Sequence, residues 1–98
     1  MKRARFLPQA REEFLAEVAY YNTARSGTGT QFVAAVEAAV ARALAFPLSG
    51  APLGPARRMM VRHFPFSIIY RDEAEGILVI AVAHRSRRPG YWRDRTVT

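Results

Sequence analysis

The chain has 98 residues, half of them hydrophobic and 23% charged, so it has room for one small globular domain, which we assign to residues 1–98. It contains no cysteine and only two histidines, which excludes disulfides and a thiolate or histidine metal centre, and we expect no cofactor. The formal net charge of +7 favours an acidic or polyanionic partner.

The positive charge is concentrated in the second half of the chain. Residues 1–56 hold six basic and four acidic side chains, whereas residues 57–98 hold nine and four. Fourteen of the fifteen cations are arginine, whose planar guanidinium group binds phosphate or carboxylate through paired hydrogen bonds and stacks on aromatic rings. The C-terminal half is therefore predicted to face a polyanion.

We find no pattern of a targeting or membrane-spanning segment. The N-terminal residues 1–13 surround only a short apolar patch with charges, and the uncharged stretch 43–56 is interrupted by prolines and glycines. We therefore expect a soluble, cytoplasmic protein that has no membrane partner.

The first half of the chain predicts a short strand followed by two helices. Ala4–Leu7 is the strand candidate, and Pro8–Ala24 shows apolar residues every three or four positions, with proline in the first turn where its missing N–H is tolerated. A second helix is predicted over Gln31–Phe46, with Thr30 as its N-cap. Its buried face is expected to carry Phe32, Val33, Val36, Val40 and Leu44.

The second helix is also rich in alanine, and the sequence leaves two explanations open. Small side chains allow the two helices of a hairpin, or a helix and a sheet, to approach closely within one protein. They also form a groove that accepts the helix of a partner.

Three strands are predicted after a turn-rich linker, Pro47–Pro55. Arg57–Phe64 and Pro65–Arg71 read as an antiparallel pair. The apolar run Ile77–Ala83 is typical of a strand that is buried on both faces at the centre of its sheet. The order β-α-α-β-β-β predicts an α+β fold with a helical hairpin on one face of a small, mainly antiparallel sheet. Alternate residues of the second strand of the pair should share one face: Phe66, Ile68 and Tyr70.

A basic and aromatic segment follows the last strand. It contains the Pro89-Gly90 turn and the following side chains: His84, Arg85, Arg87, Arg88, Tyr91, Trp92, Arg93 and Arg95. The arginines cannot be buried unpaired, so we expect them to form a functional surface. The two aromatic residues have a second interpretation, in which they fold back and close the open edge of the sheet.

These features together resemble the RelE/ParE superfamily of toxins from bacterial type II toxin–antitoxin modules. Besides size and element order, the similarity rests on two groups of residues: Pro65, Phe66, Ile69 and Tyr70 in the strand pair, and Val82, Ala83, His84, Arg85, Arg88, Pro89, Tyr91 and Trp92 near the C-terminus. The resemblance implies one of two activities, which are ribosome-dependent mRNA cleavage in RelE-like members and inhibition of DNA gyrase in ParE-like members.

The strand residues favour the ParE-like alternative. RNA cleavage requires groups that move protons and cations that stabilise the charged phosphorane. RelE-like nucleases carry basic residues on the middle strands, where this sequence has Met59, Met60 and Ser67. A ribonuclease would have to rely on His84, Arg85 and Tyr91, and this remains the alternative. A non-catalytic nucleic-acid-binding module is a third hypothesis.

The resemblance also implies the partners and the sites. We expect DNA gyrase as target and, as inhibitor of the toxin, a cognate ParD-like or similar antitoxin encoded by an adjacent gene. Nucleic acid would be contacted only through the antitoxin or, in the alternative, as ribosome-bound mRNA. The target-binding residues are predicted to be Arg85, Arg87, Arg88, Tyr91, Trp92 and Arg93, without catalytic residues. The antitoxin-binding residues are predicted to be Phe32, Val36, Val40, Arg58 and Arg62.

Overall fold

The computed structural model describes residues 1–95 of the chain. The elements are β1 (Arg3–Phe6), α1 (Pro8–Ala24), α2 (Thr28–Ala45), β2 (Ala51–Leu53), β3 (Ala56–Val61), β4 (Phe66–Glu73) and β5 (Gly76–His84). Short 3₁₀ turns occupy Pro47–Ser49 and Arg93–Arg95. The predicted order is confirmed, and the bounds of α1 agree with those read from the sequence.

The five strands form one sheet in the order β1-β5-β4-β3-β2. Only the pairing of β1 with β5 is parallel among these strands of residues 1–95, and the other neighbours are antiparallel. The strand β5 is an interior strand as expected, although β4 rather than β5 takes the middle place. The α+β fold with a mainly antiparallel sheet is therefore confirmed.

The strand β2 lies inside the segment that the sequence indicated to be a linker. It pairs with Ala56–Arg58 of β3, contains Pro52 and forms one edge of the sheet. Proline is tolerated on an edge strand because no neighbour requires its missing N–H, and three residues are too few to show a periodic pattern. The prolines and glycines of this stretch therefore predicted a linker where the structure has a short edge strand.

The start of α2 also differs from the prediction. The helix begins at Thr28, and its N-cap is Gly27 in the left-handed conformation (φ 87°), not Thr30. The side chain of Asn22 accepts a hydrogen bond from the Gly29 N–H at 3.0 Å. A residue of α1 therefore satisfies a donor in the first turn of α2, and no threonine cap is needed.

The main core lies between the two helices and one face of the sheet. The helix α2 contributes Phe32, Val36, Ala39 and Ala43, and the expected common face of β4 contributes Phe66, Ile68 and Tyr70. Phe32 and Val36 are almost fully inaccessible, because the Phe32 ring and the Val36 methyl groups hold α2 on the sheet. Neither side chain is at the surface, where the prediction of antitoxin binding placed it, and a role of either residue in antitoxin binding stays a prediction.

A second, smaller core covers the opposite face of the sheet. It contains Ala56, Ile69, Ile80, Ala81 and Trp92. The strand β5 is thus buried on both faces from Gly76 to Val82, as its uninterrupted apolar run predicted. In residues 1–95 we find no helix with both the length and the apolar character needed to span a membrane.

Candidate interaction surfaces

The basic segment, residues 84–95, leaves β5 and returns along the sheet through consecutive turns. The Arg85 N–H donates to the Pro65 carbonyl at 2.9 Å, and the Arg87 N–H donates to the His84 carbonyl at 3.0 Å. Gly90 takes a left-handed conformation (φ 78°) that the following reversal requires. Backbone hydrogen bonds thus tie the start of the segment to the β3–β4 turn and to the end of β5.

Three arginines of this segment project into solvent. Arg85, Arg87 and Arg88 are exposed. The ion pairs found within residues 1–95 join Arg5 and Arg71 to Glu73, and Arg95 to Glu13. The three exposed arginines are therefore not neutralised by a carboxylate of the described chain, and they directly follow the rigid strand β5.

The two aromatic residues of the segment are placed differently from the arginines. Trp92 is only 5% exposed and packs in the second core, so it folds back as the second interpretation expected, but onto a face of the sheet and not onto its open edge. Its role in target binding stays a prediction. The Arg93 guanidinium carbon lies 5.5 Å from the Trp92 ring centre, and the Arg93 residue itself is exposed. Burying the indole removes a large apolar area from water and closes this face of the sheet.

Tyr91 is half-buried and its hydroxyl is occupied. It donates a hydrogen bond of 2.7 Å to Oε2 of Glu13, while the guanidinium carbon of Arg87 lies 3.9 Å from its ring centre. Burial and, after it, the hydrogen bond to the Glu13 carboxylate raise the pKa of Tyr91 well above its ordinary value. A phenol held in this way is a poor proton donor or acceptor near neutral pH.

His84, another residue of the alternative nuclease site, is held by ordinary structural contacts. The ring of His84 packs edge-on against Phe66 with 5.0 Å between ring centres. Its Nδ1 atom accepts the Ser86 N–H at 3.0 Å and lies 2.7 Å from the Ser86 hydroxyl. These contacts explain His84 as a residue that shapes the turn after β5.

Glu13 of α1 is an essential part of this region that the sequence analysis missed. Its carboxylate accepts hydrogen bonds from Tyr91, from both terminal nitrogens of Arg95 (2.8 and 2.9 Å) and from the Val82 N–H (3.0 Å). Burial opposes ionisation of Glu13, but these hydrogen bonds together outweigh it, so its pKa is lowered. The available signal was its position three residues after the buried Ala10 and next to Phe14, on the flank of α1 that faces the sheet.

A second surface runs along α2 and the β3–β4 turn. One groove of about 740 Å³ has Ala34, Ala35 and Ala38 at its floor and Arg25, Arg42 and Arg62 among its walls. An adjoining groove of about 800 Å³ follows β3 and is lined by residues that include Arg58, Met60 and Arg85. Arg42, Arg62, His63 and Phe64 line both grooves, and no acidic side chain lines either one.

The predicted antitoxin-binding residues divide between this surface and the core. Arg58 and Arg62 are exposed at the grooves. Val40 is partly buried and packs against the main core, to which Phe32 and Val36 belong. Among the alanines of α2, Ala39 and Ala43 pack inside the protein, whereas Ala34 and Ala38 are exposed and line one groove, so binding of a partner helix there stays a prediction.

The described residues thus form a small α+β domain with two adjoining basic surfaces. The fold is similar to that of a solved chain described as "Chromosomal ParDE TA system from P. aeruginosa", with a TM-score of 0.73 and 15% sequence identity over 86% of this chain and 96% of that chain. A family model described as ParE toxin of type II toxin-antitoxin system, parDE, matches residues 4–89. The chain belongs to the ParE toxin family. None of the curated proteins matches it.

Proposed function

We propose that this protein is a toxin that inhibits DNA gyrase by binding it through the basic segment, without catalysing a reaction on its target. The observation that carries the proposal is the outward display of Arg85, Arg87 and Arg88 directly after the rigid strand β5. Unpaired guanidinium groups on a preorganised backbone bind carboxylates or phosphates of another macromolecule at little entropic cost. The occupied hydroxyl of Tyr91 supports binding over RNA cleavage.

The direct test is a gyrase supercoiling assay with a relaxed plasmid and the purified protein. We expect the protein to block supercoiling near stoichiometric amounts, because a binding inhibitor is not regenerated by turnover. Full supercoiling at a large molar excess of the protein would overturn the gyrase assignment. Messenger RNA mapped after brief induction should remain uncut, and cuts in phase with codons would instead establish the nuclease alternative.

A charge-matched pair of variants tests the role of the basic segment. The triple variant Arg85→Ala, Arg87→Ala, Arg88→Ala should lose inhibition, because it removes three exposed cations from the proposed contact. The control Lys2→Ala, Arg3→Ala, Arg11→Ala removes the same charge from three exposed positions, which lie just before β1, in β1 and in α1, and it should inhibit normally. Equal loss in both triple variants would show that net charge, rather than this segment, is responsible.

The partner of the second surface is proposed to be an acidic, amphipathic segment of the cognate antitoxin. The alanine floor accepts the apolar side of such a segment, and Arg25, Arg42 and Arg62 complement its carboxylates. Because Arg85 lines the adjoining groove, an antitoxin that extends into this groove covers part of the basic segment. This overlap is a physical route to neutralisation.

The antitoxin proposal is tested with the product of the adjacent gene. Ala34→Trp fills the floor of the groove and should abolish the complex in a pull-down and in calorimetry. Ala41→Trp is the matched control, since Ala41 is exposed on α2 and does not line this groove. Retention of the complex by Ala34→Trp would place the antitoxin elsewhere.

A further inference from the structure

The edge of β5 is left partly uncovered by the strand next to it. The strand β1 pairs with β5 only from Gly76 to Val79, and the last backbone hydrogen bond on this side joins the Leu7 N–H to the Val79 carbonyl. Beyond this point the chain of β1 turns into α1 at Pro8, while β5 continues to His84. The backbone groups of Ile80 and Val82 on this edge therefore need partners other than a strand.

Side chains from the two ends of the chain provide these partners. Glu13 Oε1 accepts the Val82 N–H at 3.0 Å, and Arg95 Nη1 reaches the Ile80 carbonyl at 3.3 Å. The two side chains also pair with each other through two charged hydrogen bonds, and each is only 17% exposed. An ion pair with two parallel hydrogen bonds and little solvent fixes both partners in one geometry.

The same carboxylate determines where Tyr91 lies, and Tyr91 in turn contacts two arginines. Its hydroxyl donates to Glu13 Oε2, and its ring centre lies 3.9 Å from the guanidinium carbon of Arg87 and 5.0 Å from that of Arg95. The contacts thus form a continuous chain from α1 through Tyr91 to Arg87, which is one of the exposed arginines of the basic segment. A charged group on α1 is thereby connected to the proposed target-binding surface.

We propose that Glu13 is a positioning residue that fastens the basic segment to the edge of β5 and so presents Arg87 and its neighbours in the geometry that the target binds. This inference rests on the proposed function only for the identity of the target. Glu13 itself does not touch the target, since it acts through Tyr91 and Arg95. Loss of these contacts leaves the main core between the helices and the sheet intact, and it allows the exposed part of the segment to sample many conformations. Binding is then weaker, because one conformation must be restored in the complex.

The test compares Glu13→Gln with Glu12→Gln. The first substitution keeps the shape of the side chain but removes the charge that pairs with Arg95, and the second removes the same charge from the exposed neighbour on α1. In Glu13→Gln we expect hydrogen exchange of the Val82 amide and of residues 84–95 to rise about tenfold or more, and gyrase affinity to fall about tenfold, since hydrogen bonds to charged groups are lost. The control should match the unmodified protein in both measurements.

The possible outcomes separate this inference from the proposed function. Unchanged exchange over residues 84–95 in Glu13→Gln would overturn the fastening role, whatever the target is. Faster exchange with unaltered gyrase affinity would overturn the positioning role. If the unmodified protein does not bind gyrase, the proposed function fails, and the exchange measurement alone still decides whether Glu13 fastens the segment.

A second pair of variants covers the case in which Glu13→Gln does not fold. Tyr91→Phe removes only the hydroxyl that donates to Glu13 and keeps the ring beside Arg87. Tyr20→Phe is its control on the exposed side of α1. Faster exchange of residues 84–95 and weaker gyrase binding in Tyr91→Phe alone would support the proposal, and identical behaviour of the two variants would overturn it.

Discussion

At the scale of single residues, buried polar groups connect segments that are distant in the chain. The Tyr70 hydroxyl donates to the Pro47 carbonyl at 2.7 Å and accepts the Gly50 N–H at 3.1 Å, which anchors the chain just before β2. Glu13 anchors the basic segment in a similar way, because its carboxylate accepts hydrogen bonds from Tyr91 and Arg95. Within residues 1–95 we find no buried side-chain nitrogen or oxygen that lacks a hydrogen-bond partner. Removing one partner of such a pair costs more than the pair contributes, because the other partner stays buried.

The lowered pKa of Glu13 predicts a specific acid sensitivity. Burial disfavours the ionised carboxyl, but the hydrogen bonds from Arg95, Tyr91 and Val82 outweigh this effect. The pKa of Glu13 is therefore lower in the folded protein than in the unfolded chain, where it is about 4.5. The stability contributed by Glu13 is therefore fully present above pH 4.5 and is lost as the pH falls through the lower pKa of the folded state. Urea unfolding at a series of pH values measures this.

The comparison with Glu13→Gln isolates the contribution of this residue. The free energy of unfolding of the unmodified protein should exceed that of the variant at pH 7, and the difference should shrink as the pH falls below about 4.5. Glu12→Gln should show no such pH-dependent difference, since Glu12 is exposed. A difference for Glu13→Gln that stays constant from neutral to acid pH would contradict the assignment.

At the scale of elements, the parallel pairing of β1 with β5 depends on one glycine. Gly76 lies opposite Arg3 in the register and has φ 142°. A Cβ atom at this position would collide with the Arg3 carbonyl. The chain therefore needs glycine here to bring β1 against β5, and β1 in turn leads directly into α1 and Glu13.

We predict that Gly76→Ala destabilises the protein by at least about 2 kcal/mol, because backbone strain and the collision with β1 act together. Gly27→Ala is the matched control: Gly27 also has a positive φ (87°), but its Cβ would meet no atom within 4 Å. The control should cost only about 1 kcal/mol from backbone strain. Urea denaturation measures the free energy of unfolding of both variants. Equal losses would show that the collision with Arg3 does not contribute to the destabilisation.

At the scale of the whole molecule, the helices and the sheet place two cationic surfaces side by side. The grooves along α2 and β3 have arginine walls without acidic residues, and they meet the basic segment at Arg85. The ion pairs of the described chain lie on β1 and β4 and at the edge of β5, where Arg95 of the basic segment pairs with Glu13. The arginines of the grooves and the exposed arginines of the basic segment therefore adjoin each other, while exposed cations such as Lys2, Arg3 and Arg11 lie outside this region.

This arrangement predicts a strong salt dependence for the complex with the antitoxin. Raising the salt concentration from about 0.05 M to about 0.5 M should weaken the affinity roughly tenfold or more, because screening shortens the range of the attraction. The double variant Arg42→Ala, Arg62→Ala should show a flatter dependence than the control Lys2→Ala, Arg11→Ala, which lies outside both grooves. Calorimetric titration at several salt concentrations measures how steeply the affinity of each variant falls with salt. Equal slopes for the two variants would exclude the grooves as the electrostatic contact.

Much of the architecture could be read from local patterns. The helical spacing of Pro8–Ala24, the alternation of Phe66, Ile68 and Tyr70 and the unbroken apolar run of β5 each reflect a period set by a single element. The exposed arginines after β5 follow from the same logic, because charges without partners do not enter a core. Such features are encoded within a few neighbouring residues, so no long-range information is needed to find them.

Other features depend on contacts between residues far apart in the chain. The strand β2 exists because β3 offers it an edge, and Phe32 and Val36 are core residues because the sheet covers that face of α2. Glu13 meets Tyr91 and Arg95 across 78 and 82 positions. No local period records such a meeting, because the folded sheet alone brings α1 and the C-terminal segment to the same edge of β5.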